Sequence, residues 1–224
     1  MAISSNFILQ FGFVLLWVGG ILALAGIVQQ FGTSEQVRKV VHIGTGNILP
    51  IAWYFNFPEW FCLCMGGLFC VITFLSYHLP ILPIINSVGR QTYGVFFYAL
   101  SITILVGWFW TIGQPQYAVL GVLVMTWGDG IAALVGQKWG KHLYQIGQNH
   151  KSWEGSIAMA ITCFVVTIVV LGISPGLSLF TIPIGLLVAI TATILEAVSP
   201  AGSDNLSVPI GSGALAYLLS LIFN

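Results

Sequence analysis

The chain is a succession of long apolar runs cut by short polar connections, the runs lying at residues 7–28, 40–56, 59–79, 93–112, 115–135, 156–173, 178–198 and 206–223. A helix needs roughly 20 apolar residues to cross the hydrocarbon core of a bilayer. Most of the runs reach that length; 40–56 and 206–223 are short and are read either as complete spans or as re-entrant segments. The runs are continuous rather than alternating, which predicts helices and not the strands of a barrel, and in lipid a helix satisfies its backbone groups within its own segment. The expected fold is all-α, a polytopic transmembrane helical bundle of about seven or eight spans. No long soluble insertion, low-complexity tract or convincing internal repeat divides it, so residues 1–224 form a single integral-membrane domain.

Composition agrees with that pattern. Hydrophobic residues make up 58% of the chain and charged residues 5%, against about 25% charged in a soluble domain. Six basic and six acidic residues cancel, which gives no reason to expect nucleic acid as a partner. Cys62, Cys64, Cys70 and Cys163 all lie inside apolar runs and are read as buried thiols. Cys62 and Cys64, two apart on a helix, point in different directions, which argues against a metal site or disulfide. The N-terminus lacks a basic leader region, a small-residue cleavage site and Arg-rich transit character, so nothing is expected to be removed.

Orientation follows from the basic residues. With eight crossings, the connections after the first, third, fifth and seventh runs share one face and hold Arg38, Lys39, Arg90, Lys138, Lys141 and Lys151. The positive-inside rule makes that face cytoplasmic and puts both termini opposite. Glu35, Asp129, Glu154, Glu196, Asp204 and all the histidines fall at or near the same face, and Glu59 alone does not. A transporter is expected to carry polar groups near the midplane. Ionisable groups collected at one interface suit an enzyme that brings a water-soluble reactant to a lipid-soluble one; a non-enzymatic transporter or membrane scaffold is the alternative.

The richest segment is residues 126–156. Asp129, Ala132, Ala133, Gly136 and Gly140 recur at helical spacing, presenting a carboxylate followed by a strip of nearly bare backbone. Spacing alone favours helix packing through small residues, whereas the carboxylate near lipid favours a ligand. Lys141, His142, His150 and Lys151 add donors, and Ser152, Glu154 and Gly155 open the sixth run, where free N–H groups and the helix dipole can seat a phosphate. The competing reading has the lysines as headgroup anchors and Glu154 as a favourable first-turn acid. Glu196 sits about a turn inside its apolar run, where an unpaired charge is costly. Asp204 and Asn205 are either a helix cap or part of a metal or nucleotide site. Arg38 and His42 lie four apart on one helix face, and Arg90 is ambiguous between headgroup anchor and phosphate ligand. Together these parts point to phosphoryl transfer from a nucleotide carried with a divalent cation.

Asp129-x-x-Ala132-x-x-x-Gly136-x-x-x-Gly140, followed by Lys151-Ser152-x-Glu154-Gly155-Ser156, resembles the CTP-binding signature of the polyprenol kinases, the group containing dolichol kinase and phytol kinase. Arg38-Lys39-x-x-His42, Gly89-Arg90-x-Thr92-Tyr93-Gly94 and Glu196 with Asp204-Asn205-Leu206-x-x-Pro209 match further blocks of that family in the same order. His150 stands where the signature has a basic residue and Ser152 where it has threonine, and the compact length is similar to the phytol kinases. The resemblance implies transfer of the γ-phosphoryl of CTP, or UTP, to phytol, giving phytyl phosphate for tocopherol synthesis. Farnesol, geranylgeraniol or dolichol are alternative acceptors. It further implies Mg²⁺ (or Mn²⁺) held by Asp129 with Glu196 or Asp204. Phosphates are assigned to Lys141, Lys151 and the start of the sixth run (Ser152, Glu154, Gly155), with Gly136, Gly140, Arg38 and Arg90 also at the nucleotide. The candidates for a base are His42, Asp129 and Asp204. The implied setting is a bacterial inner or photosynthetic membrane, and the absent transit character favours the bacterial one.

Overall fold

The computed structural model describes residues 5–77, 79, 93–147, 149–174, 176–200 and 202–223. Its elements in chain order are α1 (Ser5–Phe31), α2 (Ser34–Gly46), α3 (Ile48–Tyr54), α4 (Glu59–Leu75), α5 (Gly94–Phe109), α6 (Pro115–Trp139), β1 (Leu143–Ile146), β2 (Asn149–Ser152), α7 (Trp153–Ile173), α8 (Thr181–Val198) and α9 (Asp204–Phe223). The helices α1, α6, α7, α8 and α9 are long and apolar enough to cross a membrane. Helices α4 and α5, of 17 and 16 residues, are apolar but shorter.

The second apolar run forms two helices instead of one. Pro50, in the first turn of α3, has no N–H to give the Gly46 carbonyl four residues earlier, so α2 stops and a new helix starts after Asn47. The Asn47 side chain secures the break, donating to the Ile43 carbonyl at 2.7 Å and accepting from Trp127 Nε1 at 3.4 Å. α2 also begins at Ser34, well before the apolar run, because Thr33 and Gln36 form a reciprocal capping box at 3.3 and 2.9 Å. Hydropathy marks where lipid begins; the cap marks where the helix begins.

Helix α6 is the axis of the bundle, touching α2, α3, α5, α7, α8 and α9. Its Ala118, Leu120, Val122, Val124 and Met125 are fully buried, whereas α1 lies at the periphery with Leu9 and Leu16 about three-quarters exposed. That exposure is expected of a helix apolar on every side, whose neighbour is lipid. Two close backbone contacts fix α9 against α6: a Cβ at Gly121 would stand 2.3 Å from the Pro209 carbonyl oxygen, and one at Gly213 would stand 2.7 Å from that of Tyr117. The cysteines are all free, but only Cys163 is buried; Cys64 faces outward from α4. In a lipid-embedded helix an apolar neighbourhood in sequence does not distinguish the inside from the lipid side.

The connection between α6 and α7 is an antiparallel β-hairpin, pairing Leu143 with Ser152 through Ile146 with Asn149. Gly147 turns it with φ of 58°, a conformation glycine adopts without penalty. The hairpin is the single strand pair among the described residues and leaves the fold all-α in class.

Candidate active site

Three polar connections meet at one end of the bundle. From α2, Arg38 forks onto Glu35, with Nε to Oε2 at 2.9 Å and Nη2 to Oε1 at 2.5 Å. One residue on, Lys39 turns inward, is 3% exposed, and donates from Nζ to Asp129 Oδ2 of α6. Glu35 is its more distant second carboxylate, at 3.9 Å. His42, the next residue on that face, brings Nε2 to 3.7 Å from the same Asp129 oxygen. That nitrogen is buried and has no hydrogen-bond partner among the described residues. The His42 ring rests on Tyr98 of α5, centroids 4.4 Å apart, and the Tyr98 hydroxyl is 2.5 Å from Thr126 Oγ1. Gly46 lies against this hydroxyl pair, with no room for a Cβ.

The second half of the charged cluster comes through the hairpin. Residues 149 and 151 of a strand point to the same side, and both grip the end of α8. Asn149 Nδ2 donates to the carbonyls of Ala197 and Ser199 at 3.2 and 2.9 Å, and Lys151 Nζ donates to Glu196 Oε1. Glu196 is 6% exposed, so its apolar setting is balanced by a direct cation. Asp204, at the start of α9, is in none of the ion pairs among the described residues. Its charge nevertheless interacts with those of Asp129, Lys151, Glu196 and Lys39, and the charge of Arg38 with Asp129 and Asp204. Seven ionisable side chains from five elements thus share one electrostatic neighbourhood: Arg38, Lys39, His42, Asp129, Lys151, Glu196 and Asp204.

Other residues singled out in the sequence lie differently. The small-residue strip is occupied by packing. A Cβ at Gly136 would stand 3.2 Å from Ser152 Oγ, one at Gly140 2.8 Å from it, and one at Gly155 3.1 Å from the Ala132 carbonyl. α6 and α7 therefore approach closely beneath the hairpin, and Ser152 Oγ caps α7 by accepting from the Gly155 amide at 3.2 Å. Glu154 ties off the hairpin base, accepting from the His142 ring at 2.7 Å and from its amide at 3.3 Å. Lys141 and His150 are exposed on the hairpin outside the ion-paired cluster, and Lys138 sits 4.7 Å over the Trp139 ring. Arg90 and its neighbours at 89–92 lie outside the described residues.

Among the described residues no group of three or more His, Cys, Asp and Glu side chains converges on one metal position. A Mg²⁺ ion does not require such a cage: it usually takes one or two carboxylates and completes its octahedron with substrate phosphates and water. The His42 nitrogen beside Asp129 is a buried polar atom without a hydrogen-bond partner among the described residues. Asp129 with Asp204 or Glu196 has the oxygen chemistry that such a cation takes from a protein.

Sequence reasoning left Lys39 out of the site. Its signal was present, since Lys39 neighbours Arg38 and lies three residues before His42, but adjacency to a headgroup-anchoring arginine masked it. Tyr98 and Thr126 gave no signal, since a buried aromatic and a threonine in apolar runs look like packing.

These are the features of a polytopic helical membrane protein that buries a cluster of paired charges. Comparison with known proteins gives the family. The chain is 44% identical over 214 residues to the phytol kinase of Synechocystis sp., covering 95% of this chain and 92% of that one. It is 31% identical to a probable chloroplastic phytol kinase 1 of Oryza sativa and 30% identical to phytol kinase 1 of Arabidopsis thaliana, each over 81% of this chain. It spans 63% and 65% of the lengths of those two plant proteins. The chain therefore belongs to the phytol kinase family. No family model and no solved structure matches it.

Proposed function

We propose that this protein phosphorylates phytol to phytyl phosphate with CTP as donor and Mg²⁺ as metal, at the cytoplasmic face of a bacterial inner or photosynthetic membrane, feeding tocopherol synthesis. The observation that carries the reading is that the Lys39–Asp129 and Lys151–Glu196 pairs share one electrostatic neighbourhood with Asp204, His42 lying beside Asp129. The family relationship to the Synechocystis phytol kinase supports the acceptor.

Phosphoryl transfer asks a protein for positioning and for charge placed where the transferring group develops it. Asp129, with Asp204 or Glu196, would hold the divalent cation. When bound, that cation would offset the charge that builds on the transferring phosphoryl group. Lys151 and Arg38, whose charges both bear on Asp204, would hold the triphosphate. His42 Nε2, buried and without a hydrogen-bond partner among the described residues, would accept a hydrogen bond from the acceptor hydroxyl and aim it for in-line attack. The isoprenoid tail stays among the apolar helices, so only the hydroxyl reaches the polar end.

The acceptor tail does not use the groove of about 410 Å³ that α6 and α7 leave on their lipid side near Trp127, Ile131 and Val165. Trp127 and Ile131 are each about 200° around the helix from Asp129, so that groove opens away from the carboxylate. Membranes carrying the protein, incubated with γ-labelled CTP, UTP or ATP against phytol, farnesol, geranylgeraniol and dolichol, test the assignment. Label passing preferentially from CTP to phytol supports it. Transfer to another alcohol moves the acceptor, and no transfer to any alcohol removes the kinase reading.

A further inference from the structure

We propose that Lys39 is a nucleotide-binding residue that changes partners. Its ammonium neutralises Asp129 in the free protein and passes to a phosphate of the nucleotide when the divalent cation takes the carboxylate. This inference rests on the kinase reading above and adds a residue and a coupling to it.

The argument begins with burial. Lys39 is 3% exposed and the Asp129 side chain beside it 16%, so the ammonium in particular cannot fall back on water. The other carboxylate in reach, Glu35, is 3.9 Å away and is already gripped by both ends of the Arg38 fork. A cation that captured Asp129 alone would therefore strand Lys39 as a buried, unpaired ammonium, a state far more costly than the intact pair. A triphosphate arriving with the cation removes that penalty by supplying a replacement anion. Lysine suits the exchange because its compact charge rides on a flexible stem and binds phosphate without a fixed fork.

Lys151 and Glu196 form a similar pair, but the Lys151 side chain is a quarter exposed and has water to turn to. Lys39 is thus the pair member whose release most strongly requires the nucleotide. Asp204, free of any ion pair among the described residues, leaves the neighbourhood with a carboxylate still open to the incoming cation. The site thus takes metal alone weakly and metal with nucleotide more tightly, a coupling that must be reciprocal between the two ligands.

The test is direct binding to purified full-length protein in nanodiscs. Mn²⁺ is titrated by electron paramagnetic resonance without nucleotide, and CTP is titrated separately in chelator. In Lys39→Met no ammonium is stranded when the carboxylate is taken, so Mn²⁺ alone binds about tenfold more tightly than to wild type, while metal-free CTP binds about tenfold more weakly. Unchanged affinity for both ligands in folded Lys39→Met overturns the inference while leaving the kinase reading standing. Wild type that binds neither CTP nor Mn²⁺–CTP sinks the kinase reading itself. If Lys39→Met does not fold, Asp129→Asn is compared with Lys39→Met/Asp129→Asn, which contains neither charge of the pair. Metal-free CTP should then bind about tenfold more weakly to the double variant, and equal affinity overturns the inference.

Discussion

Glu196 is one of the most deeply buried charges in the protein, and Lys151 is its ion-pair partner among the described residues. Removing one side of a buried pair costs about 3 kcal/mol; the quarter exposure of Lys151 brings the expected loss below that. Lys151→Met should therefore lower the thermal unfolding midpoint in detergent, and adding Glu196→Gln should restore most of the midpoint but none of the phosphoryl transfer. Recovery of activity along with stability would show that the pair is structural. At this scale the sequence singled out Asp129 and Glu196 because charge in or beside an apolar run demands an explanation, and left Asp204 open between a helix cap and a ligand. It could not assign partners, because Lys39 meets Asp129 across 90 residues of chain. Nor could it decide between the two uses of Gly136, Gly140 and Gly155, since bare backbone suits a ligand and a neighbouring helix equally; packing against Ser152 is what the structure shows.

Among the elements, the hairpin is the one the hydrophobic pattern did not contain. Its residues are polar and short of any period, yet two side chains on one strand face dock it: Asn149 on the last carbonyls of α8 and Lys151 on Glu196. Asn149→Ala leaves two carbonyls without that donor, at about 1 kcal/mol or more. It should speed amide hydrogen exchange over 143–152 and reduce turnover; unchanged exchange there would mean the strap is held by other contacts. The helices were legible to within a few residues at most ends. The break between α2 and α3 was hidden because Asn47 and Pro50 fall inside a stretch read as one apolar run. Helix contacts give a second expectation. Gly121→Ala forces α9 away from α6 and should destabilise by about 1–3 kcal/mol. Gly12→Ala, with nothing within 4 Å, should leave the unfolding midpoint in place.

Across the whole molecule, the sequence groups the charges by which connections share a side, a reading that follows from apolar runs of bilayer length. The connections before α2, between α6 and α7, and between α8 and α9 do meet, joined by Lys39–Asp129 and Lys151–Glu196. An impermeant thiol reagent applied to sealed vesicles should therefore label Gln145→Cys in the hairpin and Thr111→Cys after α5 from opposite sides. Equal labelling of both from one side would contradict the topology. The account stands most directly on Asp129, the carboxylate shared by Lys39 and His42. Transfer of label from γ-labelled CTP to phytol, measured in membranes with equal amounts of inserted wild type and Asp129→Asn, should fall on the order of 100-fold or more in the variant, and turnover equal to wild type would contradict the proposed site.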